Sequence, residues 1–467
     1  MLRTGETICA PATGEGGAIA VIRISGPESL TICEKIFFPS EFRIKLSEQK
    51  GYSIVYGEIR SGEDVIDDVL VSIFRAPHSY TGEDSAEISC HASKYVQQVI
   101  LGLLLKNGAL PATPGEFTQR AFLNGKMDLS QAEAVADLIA SESQMAHRIA
   151  MGQMRGSFSD EIRILRADLL HFASLIELEL DFGEEDVEFA DRALLFQLVD
   201  KVIAVTEDLT SSFSLGNAVK YGVPVAIIGN TNTGKSTILN LLLREEKAIV
   251  SDIPGTTRDA IEDTAVIDGI QYRFTDTAGL RETSDLVENL GIKKTLEKIH
   301  NARIILLVAD INEGFTALDD ALRRLRILIE GSDKKVLLLI NKTDIEIQGR
   351  REEISAGLLP GRDEHILFIS ARTGEGIVEL KKKLGEALNY NRLRSENVII
   401  NNIRHYNALS QVRESLLRVK EGLGSGIPQD LIAIDIRQAI HYLGEITGEI
   451  TNDEILENIF RNFCIGK

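Results

Sequence analysis

Val223-Pro-Val-Ala-Ile-Ile-Gly-Asn-Thr-Asn-Thr-Gly-Lys-Ser236 joins an apolar run to a polar loop bounded by two glycines. The apolar part, Val225 to Ile228, is short and uninterrupted, as a strand buried on both faces must be. The loop, Gly229 to Ser236, satisfies GxxxxGK[ST] and leads into a helix expected over Thr237 to Leu243. A strand, a glycine loop and a helix in that order turn backbone N–H groups and the positive end of a helix dipole toward an anion. Lys235 is then placed to reach the β- and γ-phosphates of a nucleotide, and Ser236 to ligate Mg2+. Asn232, Thr233, Gly234 and Thr237 belong to the same phosphate cradle.

Working outward, the same texture of strands alternating with helices runs on from Val223, the pattern of a parallel sheet. Buried strands are expected at Ile304 to Ala309, Val336 to Ile340 and Ile366 to Ile369, with a further strand over Tyr272 to Phe274. Three loops after these strands carry chemistry. Asp276-Thr277-Ala278-Gly279 offers a carboxylate to the Mg2+ shell and a glycine N–H to the γ-phosphate. Asn341-Lys342-Thr343-Asp344 offers a carboxylate that accepts from both N1–H and the 2-amino group of guanine, donors that adenine lacks at those positions. Left unpaired by the wrong base, such buried polar groups discriminate strongly. Ser370-Ala371 presents backbone N–H groups to guanine O6. Between the first two loops lies Ser251-Asp252-Ile253-Pro254-Gly255-Thr256-Thr257-Arg258-Asp259, where a threonine hydroxyl completes the Mg2+ shell. Together the four loops predict a guanine-nucleotide site.

Ras-like switches place a water-orienting glutamine directly after DxxG. Here that residue is Leu280, which cannot orient water. Either hydrolysis is slow or another group acts, with Arg281, Glu282, Asp285 and Glu288 the neighbours able to do so.

The 467 residues exceed what one core supports, so about three domains are expected. A net charge of −19 argues against a surface that grips nucleic acid everywhere, leaving room for a local basic patch. Four cysteines without CxxC spacing suggest neither a disulfide framework nor zinc, and fit a reducing cytoplasm. We expect no signal peptide and no bilayer-spanning run. Cys464 stands fourth from the end, but the residues after it do not form a prenylation signal. Residues 1–118 read as a small α+β domain, with strands at Ala18 to Ile24 and Val69 to Phe74 and a helix at Tyr95 to Leu105. Helical spacing takes over from Phe117 to about Leu215 and returns after Tyr390, with Gly422 to Pro428 separating two helices and Thr451 to Glu454 capping the last. The acidic stretch Asp181 to Glu188 reads as a solvated connection, or as a contact for a basic partner or a cation. Helical blocks on both sides of the α/β block imply an insertion. The expected parts are 1–118, a helical domain from 119–217 and 389–467, and an inserted domain over 218–388.

The chain resembles the MnmE/TrmE family of tRNA modification GTPases over essentially its whole length. The matching stretches are the nucleotide motifs, SDIPGTTRD, DTAGLRE, SYTGEDSAE at 79–87, PGEFTQRAFLNGKMDLSQAEAVADLI at 114–139 and Phe463-Cys-Ile-Gly-Lys467. The resemblance implies a multidomain α/β architecture: a folate-binding-like α+β N-terminal domain, a helical domain and an inserted Ras-like P-loop GTPase domain. It implies a homodimer through the N-terminal domain. A heterotetramer with an MnmG-type flavoprotein that carries FAD would add an aminomethyl or carboxymethylaminomethyl group to carbon 5 of the wobble uridine of certain tRNAs. The one-carbon unit would come from 5,10-methylenetetrahydrofolate, with 5-formyltetrahydrofolate as an analogue, held by Arg23, Glu87, Lys126 and Lys467. It further implies K+-dependent dimerisation of the GTPase domains across GTP, with Asn232, Ser251, Ile253 and Thr256 around K+, and Thr257 on Mg2+. Glu288 orients the water through intermediates, and Arg281 helps place that switch. Thr231 stands where the family uses proline, His91 is followed by Ala92-Ser93 rather than two glycines, and Ser251 replaces threonine while keeping the oxygen. Cys464 reads either as a nucleophile or proton donor in uridine chemistry or as a packing residue. Rival readings are an assembly GTPase that binds ribosomal RNA, and a dimeric scaffold with a vestigial nucleotide site.

Overall fold

The computed structural model describes residues 5–14, 16–41, 45–181, 192–246, 262–276, 296–361, 363–388, 398–425, 427–451, 453–461 and 463–466. Among them, no helix is long and apolar enough to cross a membrane. The chain divides into two units. One comprises residues 1–139, 151–206 and 407–467, the other residues 140–150 and 207–406.

The first unit begins with a seven-stranded sheet of order β3-β4-β5-β6-β2-β1-β7. Its strands are β1 (Ile8–Pro11), β2 (Ile19–Ser25), β3 (Phe37–Pro39), β4 (Ser53–Ser61), β5 (Asp64–Phe74), β6 (Ser85–His91) and β7 (Leu110–Pro111). All neighbours pair antiparallel except β1 with β7. Alternate residues face opposite ways in a strand. Ala20, Ile22 and Ile24 of β2, Val69, Val71 and Ile73 of β5, and Ala86, Ile88 and Cys90 of β6 therefore share one face. There they join Val96, Ile100 and Leu104 of the helix Lys94–Lys106 in a closed core. The other face presents Val21, Arg23, Glu87 and Ser72, with Leu70, Tyr56 and Ile54 further along it. Helices Glu116–Leu123, Leu129–Ile139, Ser157–Asp181, Gln429–Thr447 and Asp453–Phe460 also belong to the unit. Leu129 and Ala132 pack there with Leu456, Phe460 and Phe463.

The second unit holds a six-stranded sheet of order β13-β12-β11-β8-β10-β9. The strands are β8 (Val223–Ile228), β9 (Glu262–Ile267), β10 (Ile270–Asp276), β11 (Ile304–Asp310), β12 (Lys335–Asn341) and β13 (Glu364–Phe368). The five expected strands are all present and mutually parallel. The unforeseen β9 pairs antiparallel with β10 through a turn at Asp268-Gly269, both at positive φ. Continuous apolar runs are explained by burial on two sides. Val225 and Ile227, Leu306 and Val308, and Leu337 and Leu339 enter one core with Ile238 and Leu242 of the helix Lys235–Glu246. Ala226 and Ile228, Ile305 and Leu307, and Leu338 and Ile340 enter another with Leu318 and Leu322 of the helix Phe315–Leu328.

Two details depart from the sequence reading. The helix Ile403–Ser425 runs through Gly422 and Gly424, expected to be part of a break. A Cβ on Gly422 would stand 3.3 Å from Ile432 Cγ1, so close packing of the next helix offsets the roughly 1 kcal/mol a glycine costs. The helix Gln144–Met154 sends Met145 and Ile149 into the first of the α/β cores, and the Met145 N–H donates to the Gly269 carbonyl. The acidic stretch beyond Asp181, residues 182–188, lies outside the described residues.

Candidate functional sites

The loop after β8 is shaped by its backbone. Gly229 has φ +150 and Gly234 φ +98. A Cβ on Gly229 would lie 2.1 Å from the Val308 carbonyl oxygen, and one on Gly234 2.2 Å from Asn341 Nδ2. Only glycine fits at either position. Asn232 adopts φ 61, a left-handed conformation asparagine tolerates better than most residues. Thr233 is buried and its hydroxyl donates to the Asn230 carbonyl at 3.0 Å. Lys235 Nζ donates to the carbonyls of Gly229 at 3.0 Å and Asn230 at 2.5 Å, so its ammonium lies over the loop. Ser236 and Thr237 are exposed in the first turn of the helix. This is a cradle of main-chain groups with one cation above it, a donor set that fits polyphosphate.

Two more strand ends reach this loop. Asn341 is 2% exposed, donates from Nδ2 to the Thr233 carbonyl at 2.7 Å and accepts at Oδ1 from the Ala371 N–H at 2.9 Å. Lys342 has φ 70 and its ammonium pairs with Asp310 at the end of β11, 2.7 Å away. The Asp344 carboxylate accepts from the Ser370 hydroxyl at 2.7 Å, and Thr343 N–H donates to the Ile369 carbonyl at 3.2 Å. Thus the phosphate loop, residues 341–344 and residues 370–371 form one cluster at the carboxyl ends of β8, β12 and β13, where ligands bind in open parallel sheets. The sequence placed Asn341 against the ligand. In the structure one bond from each of its polar atoms goes to the protein, so it also bridges two loops. Asp276 ends β10, in register with Ile227. Its side chain, Ser251 to Thr257, Thr277 to Gly279, Arg281 and Glu288 lie outside the described residues.

The second cluster is on the first unit. Arg23 and Glu87 are register partners on β2 and β6. Arg23 Nε and Nη2 reach the same Glu87 oxygen at 2.9 and 2.8 Å, with the side chains 18% and 29% exposed. Shielding of this order makes a doubly contacted pair stronger than the usual surface ion pair. Arg23 Nη1 donates to the Gly466 carbonyl at 3.1 Å, which brings the chain's last residues to the N-terminal sheet. Gly466 has φ +93, and a Cβ there would meet the Pro11 carbonyl oxygen at 2.0 Å. Lys126 is held instead by the loop of residues 76–84, donating to the Pro77 carbonyl at 2.8 Å. Cys464 is exposed and its carbonyl accepts from Gly115 N–H. Lys467 lies outside the described residues.

The sequence reading did not assign Tyr80 and Phe117, whose rings both lie 5.6 Å from the Arg23 guanidinium carbon. Both sit inside quoted motifs; an aromatic among small polar residues, as in Ser79-Tyr80-Thr81-Gly82, was the available signal. Beneath them Arg120, 5% exposed, bonds Glu83, Glu116 and the Glu6 carbonyl, tying the loop to the helix Glu116–Leu123. A carboxylate 29% exposed beside an arginine, with the partly exposed Tyr80 ring against that arginine, fits a planar, nitrogen-rich heterocycle such as a pterin.

Comparison with known proteins bears on both clusters. A family profile described as the MnmE helical domain matches residues 129–464, and one described as the GTP-binding protein TrmE N-terminus matches residues 7–126. The tRNA modification GTPase MnmE of Bacteroides thetaiotaomicron is 53% identical over 464 residues, 99% of each chain. The protein of the same name from Christiangramia forsetii is 51% identical over 479 aligned positions, covering all of both chains. That of Flavobacterium psychrophilum is 51% identical over 468, 99% of each.

Proposed function

The chain belongs to the MnmE family of tRNA modification GTPases, and from that premise we propose that it hydrolyses GTP in modifying the wobble uridine of certain tRNAs. One observation carries the nucleotide reading: Asn341 bonds both Thr233 of the phosphate loop and Ala371, and Ser370 beside Ala371 bonds Asp344, so three loops far apart in sequence are tied together. There the phosphate loop and Lys235 bind and orient the polyphosphate, and Asp344 selects guanine, while the Ser370 and Ala371 N–H groups donate to the Glu375 carbonyl and to Asn341. Ser236 and Thr257 would hold Mg2+, with Asp276 in its outer shell and the Gly279 N–H toward the γ-phosphate. Asn232 with Ser251, Ile253 and Thr256 would hold K+. These cations supply positive charge where negative charge develops between the β- and γ-phosphates. Glu288 orients water in place of the missing glutamine, with Arg281 positioning that segment.

The domain reading is of residues 1–118, a helical domain of 119–217 with 389–467, and an inserted GTPase domain of 218–388. It is supported by residues 207–406 clustering apart from 151–206 and 407–467 on either side. Homodimerisation uses the outer face of the N-terminal sheet, where Ile54, Tyr56 and Leu70 are 65%, 54% and 46% exposed. So much adjacent apolar surface is costly unless covered. Arg23, Glu87, Lys126 and Lys467 hold a methylenetetrahydrofolate, which supplies the one-carbon unit, and Cys464 acts on the uridine as nucleophile or proton donor. The partner is an MnmG-type flavoprotein with FAD, in a heterotetramer that acts on tRNA in the cytoplasm. GTP-driven closure of the inserted domains transmits motion to the modification site. The test is wobble-uridine analysis of tRNA from cells lacking this protein. Loss of the aminomethyl-type groups is the expected result, and an unchanged nucleoside profile would refute the reading.

A further inference from the structure

Arg23 is the hub of its cluster, and its guanidinium is confined by more than charge. The Glu87 carboxylate and the Gly466 carbonyl hold three of its nitrogens. The rings of Tyr80 and Phe117 both lie within the roughly 6 Å at which a guanidinium and an aromatic ring attract. The two rings differ in how they are fixed. Phe117 is wholly buried and set by packing in the helix Glu116–Leu123. Tyr80 rides on the irregular loop between β5 and β6, is 38% exposed, and is anchored at its far end by a 2.9 Å bond from its hydroxyl to that of Thr118. Thr118 is fully buried, so its end of that bond is shielded from water. Burial pushes the Tyr80 hydroxyl above its ordinary pKa, with Thr118 and Arg23 pulling it partly back, so it stays protonated at neutral pH.

The loop itself is pinned on both sides of Tyr80. The Ser79 hydroxyl donates to the Glu83 carbonyl, Asn124 donates to the Thr81 carbonyl, and Arg120 bonds the Glu83 carboxylate. The ring therefore has one place to be. A long arginine on a partly open sheet face has several rotamers, and holding one costs entropy. Removing either ring would loosen one side of the guanidinium, which the Glu87 and Gly466 bonds alone then hold, and so widen the positions open to the carboxylate.

We propose that Tyr80 is a positioning residue of this pocket: its Thr118-anchored ring clamps Arg23 against Phe117 and so fixes the Glu87 carboxylate for the ligand. The role rests on the reading of the Arg23–Glu87 pocket as the tetrahydrofolate site. Tyr80 acts through Arg23, so its contribution disappears when Arg23 can no longer be clamped.

The experiment measures the dissociation constant of the full-length protein for 5-formyltetrahydrofolate, with GTP turnover as the check on folding. Tyr80→Phe and Thr118→Val each weaken binding about threefold, and Tyr80→Leu about tenfold. The double variant of Tyr80→Phe and Thr118→Val is no weaker than either alone, because they remove one bond. In an Arg23→Lys background, which keeps the charge but not the planar fork, adding Tyr80→Leu changes binding by less than about twofold. If Tyr80→Phe and Tyr80→Leu bind as wild type, the clamp is wrong. A tenfold loss that persists undiminished in the Arg23→Lys background means that Tyr80 touches the ligand itself, and the positioning role falls. A wild-type chain that does not bind the compound at all overturns the folate reading and the clamp with it. That result is distinct from unchanged binding by the variants.

Discussion

The side chain of Asn341 donates to the main-chain oxygen of Thr233 at 2.7 Å, across 108 residues of sequence. That bond ties the end of β12 to the glycine loop after β8. The other half of the amide accepts from Ala371 N–H. One buried asparagine thus sets the spacing of three loops.

Asn341→Ala leaves a buried carbonyl and a buried N–H without partners, at a cost of about 2–4 kcal/mol. The expected result is a lower melting temperature for the nucleotide-free protein, together with weaker GTP binding. Differential scanning calorimetry without nucleotide checks this. If the residue served only the ligand, the melting of the free protein would not change.

Gly234→Ala is expected to weaken nucleotide binding at least about tenfold, because the new methyl meets Asn341 Nδ2 at 2.2 Å with φ at +98. Titration with a fluorescent GDP analogue measures it. Folate binding on the first unit serves as the control and should be unaffected.

Leu70 sits opposite Tyr56 on the outward face of the N-terminal sheet. Leu70→Lys puts a charge into that face at a position already 46% exposed, so the fold itself is spared. Sedimentation velocity should show a dimer for the wild type and a monomer for the variant. Equal sedimentation would place the dimer interface elsewhere.

Glu364 is gripped by Arg326 through two bonds, of 2.8 and 2.6 Å. The hydrogen-bonded guanidinium holds the carboxyl below its usual 4.5, against the opposing effect of burial and with help from Gly361 N–H. A depressed carboxyl stabilises the fold above its unfolded pKa, and that stability is lost as pH falls below about 4.5 through the folded value. Glu364→Gln should therefore be less stable than wild type at neutral pH, with the gap narrowing on acidification. Urea midpoints at pH 7 and pH 4 test this, and a gap that widened in acid would contradict it.

Much of this architecture could be read from the chain. Val225 to Ile228 and Val336 to Ile340 are apolar without alternation because helices cover both faces of their sheet, and Gly229 and Gly234 announce a backbone no other residue adopts. Strand β9 was missed because Glu262-Asp-Thr-Ala-Val-Ile267 begins with two acids and lies at a sheet edge, where burial is one-sided. Gly422 misled for the opposite reason, since packing against Ile432 outweighed local propensity; nothing lies within 4 Å of a Cβ on Gly424, and its place in the helix has no such explanation. The contact between Arg23 and Gly466 spans 443 residues and no local pattern encodes it. Nor does local pattern show that Met145 and Ile149 belong with the α/β core, because their spacing suits any amphipathic helix.

Guanine selection by Asp344 underlies the whole functional reading, and turnover of GTP against ATP by the full-length protein, with Mg2+ and K+ present, tests it. The wild type should hydrolyse GTP and ignore ATP, and Asp344→Asn should lose affinity for GTP by at least about a hundredfold. Equal use of ATP and GTP, or an Asp344→Asn protein as active on GTP as the wild type, would contradict it.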